Sequence, residues 1–336
     1  MSECHLRRHS TSPTPCFLSS RELVARRLAG APDLVVHLVQ IRRSCTARQQ
    51  QAQEKRNRCF PDHHSELTQH PGMDKQVMAF DATGEEVPDR IVVEEPLQIV
   101  VDGHSVAITM RTPGHDEELA LGFLLTEGVI LSAAQIRRID TGSKENHALV
   151  FLADGVEVDF SRLTRHVFSA SSCGLCGKAT IDAVAGILPP LESSGVFSSD
   201  VLLSAPALLE VDQSIFSRTG GLHAAGIFDR EGTMVVVRED IGRHNAVDKV
   251  LGYCLNTAID LTQCFLMVSG RVSFEIMQKA LAGGIPLVAA ISAPSSLAVE
   301  FAEKSGQALV AFLRPPKFRV YAGARRISFK EVAQTP

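Results

Sequence analysis

Two cysteines spaced for joint chemistry stand in the run Ser171-Ser172-Cys173-Gly174-Leu175-Cys176-Gly177-Lys178, just ahead of a helix-compatible stretch at 179–187. Backbone N–H groups and the dipole at a helix start favour a thiolate, and Lys178 adds a positive charge beside it. Three chemistries use such a pair: dithiol redox exchange, half of a zinc site, or carriage of sulfur as a persulfide. Zinc needs two further ligands of suitable type and spacing. The candidates in the body of the chain, Cys254 and Cys264, sit ten apart in apolar surroundings and read as core filler. No protein-bound zinc is expected. Thioredoxin-like exchange would place the motif directly after a strand of a βαβ unit, whereas here it sits in a Ser/Gly loop. A mobile loop bearing a nucleophilic thiol suits group transfer, because a carried sulfur is collected at one place and delivered at another.

Two differently patterned lobes flank that loop. Before it, short β-branched runs at 90–93, 97–101, 105–110, 149–152 and 156–160 are separated by turns such as Asp102-Gly103 and Asp154-Gly155. They predict hairpins and an antiparallel sheet over residues 73–170, interrupted by one helix at 116–126 that Gly128 closes. The cluster His115, Asp116, Glu117, Glu118 reads as acidic residues at the positive end of that helix, with metal ligation the competing reading. After the loop, residues 179–330 alternate short apolar runs with helical patterns. Helices are expected at 204–219 (ended by Gly220-Gly221), 242–255, 273–281 and 296–304. Strands are expected at 224–228, 234–238, 265–269, 286–291 and 308–313. The alternation predicts a largely parallel sheet covered by helices. Ligands bind beyond the carboxyl ends of such strands. The junctions to watch are Ser269-Gly270-Arg271, Ser292-Ala293-Pro294-Ser295-Ser296 and Phe312-Leu313-Arg314.

Composition divides the chain a third time. Residues 1–72 carry 11 Lys/Arg against 6 Asp/Glu, whereas 73–336 carry 23 against 32, so a net of +5 precedes a body at −9. The basic segment reads as a disordered extension, a start-site artefact upstream of Met73, or a basic arm. Its best apolar stretch, 34–41, is too short to span a bilayer. Cys4, Cys16, Cys45 and Cys59 within it have no metal-ligand spacing. An acidic body with no tryptophan and only two tyrosines argues against nucleic acid as a partner, and no membrane partner is expected.

Taken together, SSCGLCGK (171–178), TGGLHAAGIF (219–228), REDIGRHNAVDKVLG (238–252), SGRVSFEIMQKA (269–280) and GIPLVAAISAPSSLAVEFAEK (284–304) resemble the FdhD family of formate dehydrogenase accessory sulfurtransferases. The resemblance implies an α+β protein whose C-terminal α/β lobe is cytidine-deaminase-like, with a smaller β-rich N-terminal lobe. It implies a cytoplasmic, homodimeric enzyme that takes sulfur from a cysteine desulfurase. The sulfur passes through a cysteine persulfide to the molybdenum cofactor in its bis(molybdopterin guanine dinucleotide) form, for use by formate dehydrogenase. Cys173 would bear the persulfide, with Cys176 as its partner. The family's cofactor-binding stretch falls on Phe312-Leu313-Arg314-Pro315-Pro316-Lys317. Glycine is common after that arginine in the family, and Pro315-Pro316 here removes two N–H donors. A non-catalytic cofactor-binding chaperone is the alternative reading, and a dithiol oxidoreductase a third.

Three further positions carry two readings each. In REDIGRHNAVDKVLG, helical spacing groups Asp240, His244 and Asp248 on one face with Asn245 and Lys249 beside it. Arg243 and His244 would then contact the guanine nucleotide or its phosphates, or the face is solvated and held by i,i+4 charge pairs. Arg271, after a strand and opening a helix, suits an anionic ligand or pairs with Glu275. Nucleobase deamination is excluded, because His223-Ala224-Ala225 puts alanine where the general acid/base would sit and Ser269-Gly270-Arg271 offers no cysteine pair.

Overall fold

The computed structural model describes residues 72–158, 160, 190–191 and 195–330. The chain divides into two units, Met1–Thr68 and Gln69–Pro336, and the described residues all belong to the second. The expectations for the basic segment (Gly72 apart) and for the loop bearing Cys173 and Cys176 lie outside the described residues.

A two-stranded ribbon, β1 (Asp74–Phe80) with β2 (Glu86–Val92), comes first. Its base is pinned where the Asp74 carboxylate accepts from Arg90 Nε (2.8 Å) and Arg218 Nε (3.0 Å). Then β3 (Glu95–Val101), β4 (His104–Arg111), β5 (Ile136–Asp140) and β6 (His147–Leu152) form one sheet in the order β4-β3-β6-β5. Asp102-Gly103 turns β3 into β4 with both residues at positive φ, 43° and 84°, as a tight hairpin requires. The sheet is mixed, not antiparallel throughout, because β3 and β6 run parallel. Helix α1 (Asp116–Thr126) leaves after the hairpin and carries the chain across, and such crossovers are what parallel pairing needs. Residues 156–158, expected within a strand, have no regular structure. Val156, Val158 and Phe160 instead lean half-buried on the lobe's core, with the Phe160 ring stacked on His104 at 4.4 Å.

The second lobe is a three-layer sandwich. Helix α2 (Ser199–Val211) is followed by the short α3 (Phe216–Thr219), where a single helix over 204–219 was expected. The start moves because Ser198 is the cap, its Oγ accepting from Asp200 N at 3.3 Å. The break is fixed by Glu239, whose carboxylate accepts from Ile215 N (2.9 Å) and Phe216 N (2.8 Å). The central sheet holds β8 (His223–Asp229), β9 (Met234–Asp240), β10 (Cys264–Val268), β11 (Leu287–Ala290), β12 (Ala308–Arg314) and β13 (Lys317–Ala322), in the order β13-β12-β11-β10-β8-β9. Parallel pairing is confined to β10–β11 and β11–β12. The expectation of a largely parallel sheet is thereby corrected to a mixed one. The β8–β9 and β12–β13 connections are too short for a crossover and force antiparallel hairpins. A small parallel pair, β7 (Phe197–Ser198) with β14 (Ile327–Ser328), lies outside this sheet.

One face of the sheet buries Phe228, Phe265 and Met267 against Leu202 and Leu209 of α2. The other buries Ile227, Leu266 and Val288 against α4 (Arg243–Asn256), α5 (Phe274–Ala282) and α6 (Ser296–Ser305). Full burial of side chains of this size contributes about 1.5–3 kcal/mol each. Cys254 and Cys264 belong to that second cluster, and burial pushes the Cys264 thiol up to about 12. Their reading as core filler matches the structure.

The lobes are joined through glycine. Helices α1 and α4 touch at Gly122 and Gly252: a Cβ on Gly252 would stand 1.9 Å from Glu118 O, and one on Gly122 1.9 Å from Asp248 O. No side chain fits between them. Across the same joint Arg238 holds Glu118 in a two-pronged bond at 2.6 and 2.7 Å, and Thr126 Oγ1 donates to Asp248 Oδ1 and accepts from Lys279 Nζ, both at 2.9 Å. Among the described residues no helix is long and apolar enough to cross a membrane.

Candidate functional site

Strands β10, β11 and the start of β12 are buried apolar runs, and parallel pairing brings their carboxyl ends to one edge. The three loops flagged from sequence meet there. Backbone hydrogen bonds stitch them together: Val272 N donates to Ala293 O (3.1 Å), Ser295 N to Val272 O (2.9 Å) and Phe312 N to Ser292 O (3.1 Å). Helices α4, α5 and α6 begin at the same edge, capped at Gly242, Ser273 and Ser295. Their positive ends favour an anion placed outside the strands.

Strand β8 runs antiparallel to β10, so its first residue, His223, arrives at this edge opposite Asp240, the last of β9. Ser269 Oγ accepts from Ala224 N at 2.9 Å and fixes the approach. Gly270 lies against the imidazole: a Cβ there would stand 3.2 Å from His223 Nδ1 and 3.9 Å from Arg243 Cβ. Beside this corner His244 Nε2 lies 3.3 Å from Ser273 Oγ and 3.9 Å from Glu275 Oε2. Burial, then the charge of Arg243, brings the His244 imidazole down to about 4. Burial lowers His223 as well, followed by Arg243 and Arg271. Both rings are therefore mainly neutral hydrogen-bonding groups at pH 7, and the arginines supply the charge.

Each residue expected in a site can now be placed. Arg243 and His244 are the first two residues of α4, half-buried at the edge. Arg271 is exposed, but it precedes the Ser273 cap of α5 and does not open the helix. Glu275 faces His244, and among the described residues no ion pair joins it to Arg271. Arg314, Pro315, Pro316 and Lys317 are exposed at the β12–β13 hairpin. Leu313 is fully buried in the core beneath the sheet, so its side chain is removed from the expected cofactor contacts. The Phe312 ring is half-buried, 6.4 Å from Tyr321 and with the Arg319 guanidinium 5.2 Å from its centroid. Its φ of 50° is rare for a bulky residue and accompanies a bulge in the β12–β13 ladder.

With strands about 4.8 Å apart, β12 stands roughly 10 Å from β10 and about 19 Å from β9 across the sheet, and Arg314 extends beyond Val310, the last residue of β12 paired with β11. The edge thus offers two cationic stations, Arg243/Arg271 and Arg314/Lys317, to an extended anion.

The helical face grouped from REDIGRHNAVDKVLG is not solvated. Asp240, Asn245, Asp248 and Lys249 are buried, because α4 lies between the sheet and the first lobe. The acidic cluster at α1 is bound by arginines: Asp116 accepts from Arg111 at 2.8 and 2.9 Å, and Glu118 from Arg238. Reasoning from sequence missed His223 as a site residue, along with Ser273 and Glu275 beside His244. Only the antiparallel pairing of β8 with β10 brings His223 to the edge, and nothing in its local sequence announces that.

Residues 92–328 match the FdhD/NarQ family. Proteins named sulfur carrier protein FdhD are similar over most of their length. The one from Streptomyces avermitilis is 47% identical over 262 residues, covering 73% of this chain and 92% of that one. The Mycobacterium tuberculosis protein is 48% identical over 255 residues, covering 72% and 92%, and that of Sulfolobus acidocaldarius 43% over 240 residues, covering 71% and 91%. Among solved structures, a formate dehydrogenase accessory protein from Desulfotalea psychrophila superposes with a TM-score of 0.62 at 25% identity, covering 76% of this chain and 98% of that one. With the two-lobed α/β architecture and this degree of identity, the chain belongs to the FdhD/NarQ family.

Proposed function

We propose that this protein is a sulfurtransferase that carries sulfur as a persulfide on Cys173 and delivers it to a molybdenum cofactor of the bis(molybdopterin guanine dinucleotide) type, serving a formate dehydrogenase. The names of its relatives, sulfur carrier protein and formate dehydrogenase accessory protein, support the role. In the first step the Cys173 thiolate attacks the terminal sulfur of a persulfide on a cysteine desulfurase. The donor S–S bond breaks, the desulfurase cysteine leaves as thiolate, and a new S–S bond forms on Cys173. For release, the Cys176 thiolate attacks Cys173 Sγ and expels hydrosulfide, and the two electrons that reduce the sulfur come from formation of the Cys173–Cys176 disulfide.

The observation that carries the cofactor half of the reading is the sheet edge. A body of net charge −9 gathers three helix starts with Arg243, Arg271, Arg314 and Lys317 along one side. Two cationic stations set apart along the edge suit the two pyrophosphates of a bis-dinucleotide better than a single small anion, with His223 and His244 as uncharged hydrogen-bonding groups between the arginines.

Mass spectrometry after incubation with a cysteine desulfurase and cysteine tests the sulfur half. A +32 Da adduct on Cys173 that Cys173→Ala abolishes is the expected result, with the mass being that of one sulfur atom. No adduct, or one unchanged in Cys173→Ala, overturns it. Complementation of a strain lacking its own carrier by Cys173→Ala would favour the chaperone reading instead.

A further inference from the structure

Asp240 and Lys249 are an ion pair with no exposure at all: their side chains are 0% accessible and Nζ stands 2.7 Å from Oδ2. Every hydrogen-bonding position of the pair is filled. Asp240 Oδ1 accepts from Gly242 N (2.8 Å) and Asn245 Nδ2 (3.0 Å), and Oδ2 from Thr112 N (3.2 Å) as well as the lysine. Lys249 also donates to Thr112 O (3.0 Å) and Glu239 O (3.4 Å). Asn245 completes the set, donating to Met110 O (2.8 Å) and accepting from Thr109 Oγ1 (3.1 Å). Ile241 N donates to Thr112 Oγ1 at 3.2 Å.

Such a pair is weak evidence of added stability, since well-packed apolar residues of similar volume often do as well or better in buried positions. Its location offers another account. The Asp240 carboxylate bonds both sides of the turn from β9 into α4, and the two residues that follow Gly242 are Arg243 and His244. The turn is so tight that a Cβ on Gly242 would meet Asn245 Nδ2 at 2.8 Å. Held through Thr109, Met110 and Thr112, it is referenced to the first lobe as well as to its own sheet.

We propose that Asp240 and Lys249 are positioning residues: together they lock the β9–α4 turn so that Arg243 and His244 meet the anionic part of the cargo in a fixed geometry. This inference rests on the reading of the sheet edge as the cargo-binding face. It separates the arginines by mechanism, because Arg243 depends on the buried pair while Arg314, four strands away, does not.

The test uses the full chain and GDP as the probe, with affinity from calorimetry and stability from thermal melting. Asp240→Asn/Lys249→Met removes both charges while keeping bulk and one acceptor oxygen. We expect the double variant to melt cooperatively and bind GDP roughly tenfold more weakly or worse, the scale of one charge-assisted contact. Adding Arg243→Ala to it should then cost little more, whereas adding Arg314→Ala should cost as much as in the wild type. A merely structural role would not produce that selective coupling. Should the double variant fail to fold, Asn245→Ser, which removes the Nδ2 bonds to Asp240 and Met110, carries the same two coupling comparisons. A folded variant that binds GDP as tightly as the wild type, or equal coupling to Arg243 and Arg314, overturns the inference. A wild-type chain that does not bind GDP overturns the cargo-face reading and this inference with it.

Discussion

Replacing Gly252 by alanine puts the joint between the lobes to a test of sign. Glycine in the middle of a helix costs about 0.8–1 kcal/mol relative to alanine, so on propensity alone Gly252→Ala should stabilise. The structure argues the reverse. The new methyl carbon would stand 1.9 Å from Glu118 O and 2.8 Å from Gly122 N, and a relaxed contact needs about 3.5 Å. The obstacle is backbone on both sides, so no rotamer relieves it and the helices must part by roughly 1.5 Å. That displacement would stretch the bonds spanning the joint, Thr126 to Asp248 at 2.9 Å and Arg238 to Glu118 at 2.6 Å, beyond useful length. Overpacking costs about 1–3 kcal/mol, and weakening one charge-assisted bond adds about 1.5–3 kcal/mol. After the propensity gain, a net loss of about 2–5 kcal/mol is expected, which for a chain of this size lowers Tm by roughly 4–20 °C. Thermal melting of Gly252→Ala beside Gly142→Ala, where the methyl meets open space, measures it. Equal or higher stability in Gly252→Ala would refute the close approach of the helices.

Acid titration should report the Glu118–Arg238 bond. Burial pushes the Glu118 carboxyl up, but Arg238 and His115 more than offset it and hold it near 2, against an ordinary 4.5. A lowered carboxyl contributes stability above its unfolded value and loses it as pH falls. The wild type should therefore lose stability between about pH 4.5 and 2, and Glu118→Gln should be less stable at pH 7 with a flatter acid limb. At the sheet edge, Arg271→Ala and Arg314→Ala should each weaken GDP binding by about one to two powers of ten, the worth of one charge-assisted contact, with Tm unchanged because both side chains are exposed.

The α/β lobe was largely legible because its apolar strands and amphipathic helices repeat with different periods. The observed α4, α5 and α6 begin and end within one residue of the helices expected from periodicity. Strand direction was not legible, because periodicity is the same whichever way a strand runs. Connection length held that information at β8–β9, where four residues leave room only for a hairpin. The burial of Asp240, Asn245, Asp248 and Lys249 was hidden for another reason. Helical spacing shows that charged residues share a face, but whether it meets water depends on Thr112 and Thr126, more than a hundred residues away. Arg271 is singled out by the rule that ligands sit beyond strand ends, and Arg243 by the REDIGRHNAVDKVLG segment and the family resemblance; the fold brings both to one edge. Leu313 failed as a side-chain contact because the strand it ends turns it into the core.

The cationic edge sits on a body of the opposite sign, and this sets how an anion can arrive. At physiological ionic strength charges are felt over about 8 Å. A freely diffusing polyanion approaching at random meets net repulsion until it is nearly seated, the opposite of electrostatic steering. Modest added salt should therefore quicken association while loosening the bound state. If the edge holds an anionic cargo as proposed, direct release onto it by a docked protein would load it faster than capture from a dilute pool.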